Sequence, residues 1–163
     1  MKFSSYLFLA TALSLICGSN GQGPNGELQL TPCQESKGKI MVNRLTFDPN
    51  PPTIGKPVLL NFNGTFAEDF PLGMKVNLEF SKDGQVLFRQ EKDFCQMVES
   101  LSLLKSSILC PLVTGTHNIL AKMNVPGFIP SSLYGVNVKI TKPDNDEVIC
   151  LEGTTHLQQP LKA

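Results

Sequence analysis

Few side chains in this chain are equipped for covalent or metal chemistry. His117 and His156 are the only histidines, and neither stands at ligand spacing from cysteines or carboxylates, which disfavours both a zinc site and a histidine-based triad. G-x-S-x-G is absent, and His117 falls in an alternating apolar segment with no acidic residue beside it, so an enzyme is not expected. The five cysteines, Cys17, Cys33, Cys95, Cys110 and Cys150, include no C-x-x-C pair, which argues against a redox motif. Asn63-Gly64-Thr65 is the sole N-glycosylation sequon and predicts a glycan on Asn63, pointing outward because Asn63 follows an inward-facing Phe62. No metal or cofactor is implied. What the sequence supplies in quantity is apolar surface at regular spacing, which can shelter another apolar body without any bond being made or broken.

Length and composition frame those residues. With 163 residues, 41% hydrophobic and 17% charged, the chain has room for one ordinary domain. Lys+Arg and Asp+Glu balance at 14 each, so there is no basic stripe for phosphates, and nucleic-acid binding is disfavoured. Residues 1–19, MKFSSYLFLATALSLICGS, put one lysine ahead of the apolar run Tyr6 to Cys17 and end on small and polar residues. This predicts a signal peptide, its apolar run being shorter than the ~20 residues a bilayer span requires, and one domain over residues 20–163. Its removal takes Cys17 away and leaves four cysteines, an even set that predicts two disulfides in an oxidising compartment. Three pairings are open.

The elements that must position these residues are strands. Val58, Leu60 and Phe62 alternate with Leu59 and Asn61; Met74, Val76, Leu78 and Phe80 alternate with Lys75, Asn77 and Glu79. The same period of two recurs at Ile119, Ala121, Met123 and Val125, and at Tyr134, Val136, Val138 and Ile140. Shorter candidates run from Ile40 to Phe47, Gln85 to Gln90 and Glu147 to Glu152, separated by turn residues at Asp48-Pro49-Asn50-Pro51-Pro52, Asp83-Gly84 and Pro143-Asp144-Asn145-Asp146. About seven short strands predict an all-β, two-sheet sandwich. Between Cys95 and Cys110, Met97, Leu101, Leu104 and Ile108 fall at three- and four-residue spacing. That predicts a short amphipathic helix whose apolar stripe plugs the edge of the core, with a lid as the alternative.

A further set of landmarks spans nearly the whole predicted domain: Cys33, FDPNPPTIGKPV from Phe47 to Val58, Asp93-Phe94-Cys95, Cys110-Pro111-Leu112, VPGFIPSSLYGVNVKI from Val125 to Ile140, and Val148-Ile149-Cys150. In this order and spacing the chain resembles the ML-domain lipid-recognition family, which includes the lysosomal Niemann-Pick sterol carrier and the phosphatidylglycerol/phosphatidylinositol transfer proteins. The stretch between Cys95 and Cys110 is longer than in the sterol carrier, and the DPNPP turn lacks the cysteine of a third disulfide, which brings the likeness nearer the phospholipid branch. The resemblance implies an immunoglobulin-like β-sandwich with a lipid cavity between its sheets, and disulfides joining Cys33 with Cys150 and Cys95 with Cys110. It implies a soluble carrier of phosphatidylglycerol or phosphatidylinositol between membranes, secreted or held in an endolysosomal or vacuolar lumen; a monomer is the default expectation for a carrier of this size. The alternatives are sterol binding and transport, or a secreted immunoglobulin-like module that recognises a protein receptor.

Screening a sixteen-carbon chain from water at ~0.8 kcal/mol per CH2 is worth roughly 13 kcal/mol, which is why a lipid needs a carrier. The expected lining is Val58, Leu60, Phe62, Val76, Leu78, Phe80, Ile119, Ala121, Met123, Val136 and Val138, positions that would equally suit a solid core. Phe128, Ile129 and Pro130, in a Pro/Gly-bounded loop between strands, are the expected portal and point of transient membrane contact. Lys75, Lys122 and Lys142 are cations that could meet an anionic headgroup, although spacing alone does not put them beside the portal.

Overall fold

The alternating segments form strands in two antiparallel sheets. A computed structural model describes residues 24–34, 38–101 and 110–160; the predicted signal peptide, Leu104 and Ile108 lie outside the described residues. In chain order the elements are β1 (Thr31–Pro32), β2 (Ile40–Asp48), β3 (Pro57–Phe66), β4 (Lys75–Lys82), β5 (Gln85–Asp93), α1 (Phe94–Leu101), β6 (Gly115–Asn124), β7 (Leu133–Thr141) and β8 (Glu147–His156). One sheet has the order β1-β8-β7-β4-β5 and the other β2-β3-β6. The seven expected strands are β2 to β8, and the two-residue β1 is an addition.

Local chemistry sets the connections. Asp83 and Gly84, with φ of 51° and 79°, make the two-residue turn between β4 and β5, where a left-handed pair matches the strand twist. Asp93 caps α1 by accepting the amide hydrogen of Gln96 at 2.9 Å. The helix buries Phe94 and Val98, with Met97 packed on the same cluster; Met97 is the one residue of the expected stripe whose side chain is described, and it faces the core.

The core is divided. A larger cluster gathers Ile40, Phe66, Phe70, Met74, Phe94, Val98, Leu112, Val148 and neighbours at the end of the sandwich that carries α1. Phe66 stacks edge-on against Phe70 with ring centroids 5.3 Å apart. A smaller cluster of Ile54, Tyr134 and Leu157, joined by Phe80, Val125 and Ile129, sits at the other end. Outside the α1 end, Lys39 and Lys142 are woven with Glu68 and Asp146: Lys142 Nζ donates to Glu68 at 2.5 Å, and Lys39 bonds Asp146.

The two long sides of the sandwich differ. Where β2 approaches β8 and β1, hydrogen bonds join the sheets at both ends. Lys39 N donates to Val148 O at 3.2 Å, Ile54 N to Gln158 O at 2.8 Å, and Leu28 N to Asn50 Oδ1 at 2.7 Å. On the β5/β6 side, α1 lies against both strands at one end, and no backbone bond joins β5 to β6 among the described residues. The predicted disulfides are both present. Cys33–Cys150 ties the segment after β1 to β8, and Cys95–Cys110 ties α1 to the segment before β6.

Candidate functional site

The eleven residues expected to line a cavity fall on the inner faces of the sheets. In the three-stranded sheet, Val58 pairs with Met123, Leu60 with Ala121 and Phe62 with Ile119. In the five-stranded sheet, Leu78 pairs with Val138, Phe80 with Val136 and Val76 with Ile140. Directly opposed residues share a face, so the pairings collect the set on two apolar surfaces.

Burial separates this set in a way that alternation does not. Val58, Val76, Ile119, Ala121 and Val136 are buried. Leu60, Phe62, Leu78, Phe80 and Val138 are only half-buried, although β3, β4 and β7 are interior strands of their sheets; Met123, on the edge strand β6, is half-buried as well. A solidly packed sandwich covers inner-face residues of interior strands. Leu60, Phe62 and Val138 pack against the larger cluster and Phe80 against the smaller, each keeping accessible apolar surface, while Leu78, Met123, Val58 and Val136 belong to neither cluster. The ring of Phe62 lies over Gly64, where an added Cβ would stand 2.7 Å from Cε1 and 3.3 Å from a methyl of Ile40. Glycine at 64 thus lets the aromatic ring fold along the inner face.

The expected portal residues part company. Phe128 is 88% exposed, whereas Ile129 turns back onto Ile54, Tyr134 and Leu157. Pro130 is exposed, and its carbonyl accepts the Tyr134 hydroxyl at 2.9 Å. The loop is also held to the turn before β3, with Gly55 N donating to Val125 O at 3.0 Å. A single aromatic side chain therefore projects from an anchored loop. On β5, Val86, Leu87 and Phe88 add further exposed apolar surface, and Phe88 lies against Phe80 with centroids 6.2 Å apart. Sequence reasoning read β5 as a short strand and missed this edge; the run Val86-Leu87-Phe88 after a tight turn was the available signal.

The polar groups are otherwise occupied. His117 Nε2 bonds the carbonyl of Val113 at 2.7 Å, and its ring packs edge-on against Phe66. Lys142 belongs to the cluster beside Glu68, Lys75 pairs with Glu91 at 2.8 Å, and Lys122 points to the outer face of β6 opposite Leu59. A cleft of about 250 Å3 on the outer face of the five-stranded sheet is lined by Asn77, Glu79, Arg89, Asn137 and Lys139. Its charges are already matched, Arg89 to Glu79 at 2.6 Å and Lys139 to Glu147 at 2.8 Å. Asn63 faces outward, as expected, in a ladder: Asn43 Nδ2 donates to its Oδ1 at 2.9 Å, and its own Nδ2 donates to Asn118 Oδ1 at 2.5 Å.

Comparison with known proteins gives concordant results. The sequence model described as ML domain matches residues 27–157. The phosphatidylglycerol/phosphatidylinositol transfer protein of Aspergillus fumigatus is 27% identical over 128 residues, covering 78% of this chain and 70% of that protein. A putative phosphatidylglycerol/phosphatidylinositol transfer protein of Dictyostelium discoideum is 28% identical over 120 residues, 72% of this chain and 76% of its own. Among solved structures, a Niemann-Pick type C2 protein from Japanese carpenter ant superposes with a TM-score of 0.63 at 9% identity, covering 80% of this chain and 100% of that one. Chicken MD-1 complexed with lipid IVa gives 0.57 at 13% identity, with coverage of 83% and 93%. The two structures share this immunoglobulin-like sandwich fold.

Proposed function

The chain belongs to the ML-domain family, and on that premise we propose that it is a soluble lipid carrier that moves phosphatidylglycerol or phosphatidylinositol between membranes, holding the acyl chains between its sheets. The observation that carries this reading is the half-buried state of Leu60, Phe62, Leu78, Phe80 and Val138 on interior strands. Acyl chains laid against these side chains would remove apolar surface from water on both partners, at about 25 cal/mol per Å2. Rings and the Met123 thioether adapt to chains of irregular shape. The named activity of the Aspergillus and Dictyostelium relatives supports this class of cargo.

In this reading Phe128 enters the bilayer interface during loading and Pro130 lies beside it, while Ile129 anchors the loop. No covalent step is needed. The two disulfides suit a lumenal or extracellular protein, and secretion through residues 1–19 is the route we assign.

The test is mass spectrometry of lipid extracted from the purified secreted protein, followed by transfer of labelled phosphatidylglycerol, phosphatidylinositol and sterol between vesicles. A stoichiometric phospholipid together with its transfer is the expected result. Sterol alone reassigns the cargo, and an empty protein that moves none of the three overturns the carrier.

A further inference from the structure

The edge strand β5 has an inner face unlike the rest of the five-stranded sheet. Lys92 pairs with Val76, Gln90 with Leu78 and Phe88 with Phe80, so Lys92, Gln90 and Phe88 share the apolar lining's side of the sheet. All three are exposed, and β5 as a whole is the least covered long strand. β5 is the edge of the five-stranded sheet on the β5/β6 side, where no backbone hydrogen bond joins the two strands among the described residues. This side is limited at one end by α1, which lies against β5 and β6.

Charge on β5 is distributed by face. On the outer face, Arg89 is matched by Glu79 and Glu91 by Lys75. On the inner face, Lys92 has no ion-pair partner among the described residues, and Gln90 has no side-chain hydrogen bond among them. An unmatched cation and an unengaged amide thus stand at the rim of an apolar lining. Being two residues apart on a strand, their Cα atoms are separated by about 7 Å, a span that a phosphodiester and an adjoining hydroxyl can bridge.

We propose that Lys92 and Gln90 form the headgroup site of the carrier: Lys92 binds the phosphodiester, Gln90 hydrogen-bonds a headgroup hydroxyl, and the acyl chains pass Phe88, Phe80 and Leu78 into the interior. This rests on the carrier reading and deepens it by assigning the residues that meet the headgroup's phosphodiester and hydroxyl groups. A lysine supplies a point charge to phosphate, and a glutamine offers both donor and acceptor to a hydroxyl. The lipid then lies across the open long side, with its headgroup toward α1 and the exposed apolar residues of β5 beside its chains.

The experiment measures transfer of trace labelled phosphatidylglycerol, and of labelled diacylglycerol, which lacks the phosphate, between phosphatidylcholine vesicles whose surface has no net charge. Lys92→Glu is expected to lower phosphatidylglycerol transfer about tenfold, the scale of a lost hydrogen bond to a charged group, with its melting temperature unchanged and no matching fall for diacylglycerol. Lys92→Arg restores most of the rate, Gln90→Ala lowers it a few-fold, and Lys122→Glu on the outer face of β6 leaves it unchanged. If wild type moves phosphatidylglycerol and Lys92→Glu moves it equally fast, the headgroup site is wrong and the carrier stands. Should wild type move neither lipid, the carrier reading falls and this site with it.

Discussion

Leu78 of β4 and Val138 of β7 are direct cross-strand partners on the inner face of the five-stranded sheet, and both stay half-buried although each strand has a neighbour on either side. Two strand positions along, Val76 is 5% exposed beside Ile140. The change from covered to uncovered within one strand marks where the packed α1 end gives way to the proposed lipid space.

That boundary predicts opposite responses to added bulk. Leu78→Trp is expected to keep its melting temperature within a few degrees while lipid uptake falls severalfold, because the ring takes space meant for an acyl chain. In a packed core the same substitution would strain its neighbours by about 1–3 kcal/mol. Thermal melts with and without extracted lipid, read beside bound-lipid stoichiometry, separate the two. Val76→Asp places a charge in the covered cluster and is expected to prevent folding.

Phe128→Asp addresses membrane contact. The side chain is 88% exposed and supports nothing inside the protein, so folding stability should be unaffected. Inserting a Phe ring into an apolar layer is worth up to about 1.5–3 kcal/mol; its loss should slow vesicle-to-vesicle transfer roughly tenfold without changing the amount of lipid bound at equilibrium. An unaltered transfer rate would place membrane contact elsewhere on the surface.

The disulfides should differ in weight. Cys33–Cys150 closes a separation of 117 residues and Cys95–Cys110 one of 15. In the chain-entropy picture these correspond to about 5 and about 3 kcal/mol of destabilisation of the unfolded chain. Denaturant titration of Cys33→Ser/Cys150→Ser and Cys95→Ser/Cys110→Ser double variants should rank the first as the greater loss.

Stability should be level across mildly acidic and neutral pH. Hydrogen bonds from Lys142, and then Lys39, hold Glu68 below its ordinary value of 4.5. The backbone amide and hydroxyl of Thr114 hold Asp69 below 3.8. A carboxylate with a depressed folded pKa contributes above its unfolded pKa, and the contribution is lost as pH falls through the folded one. Lys39, raised above 10.5 chiefly by its bond to Asp146, contributes below 10.5 and loses that contribution only as pH rises through its folded value. Urea midpoints should therefore vary little between about pH 5 and pH 9 and fall in the acid range below about pH 4. Lys142→Met should reduce the acid-side dependence, and a slope centred near pH 6 would point to a histidine instead.

Much of the sandwich was readable because an inner face repeats every second residue whatever it packs against. Val58-Leu60-Phe62 and Val76-Leu78-Phe80 announce strands and faces without any knowledge of their partners. The same regularity hid the distinction that matters, since Leu78 and Val76 are equivalent in pattern and differ only once the opposing sheet is in place. Ile129 and Phe128 are adjacent apolar residues in one loop, and their opposite fates depend on Tyr134 and Leu157, which a local reading does not bring near. Thr31–Pro32 was missed because a two-residue strand has no period. Lys92 and Gln90 gave no sequence signal beyond polarity, as their position over the lining follows from the β4–β5 register.

The unequal lacing of the two long sides gives the molecule the mechanics of a bound book. The β2/β8 side is a spine, stitched by the bonds of Lys39, Ile54 and Leu28, and the Cys95–Cys110 bridge clips the pages at the α1 end. Along the remainder of the fore-edge no backbone hydrogen bond joins β5 to β6 among the described residues. Parting it leaves every ladder hydrogen bond within the sheets intact, so the work of opening is mainly that of wetting apolar side chains, and an arriving acyl chain cancels that work as it fills the gap.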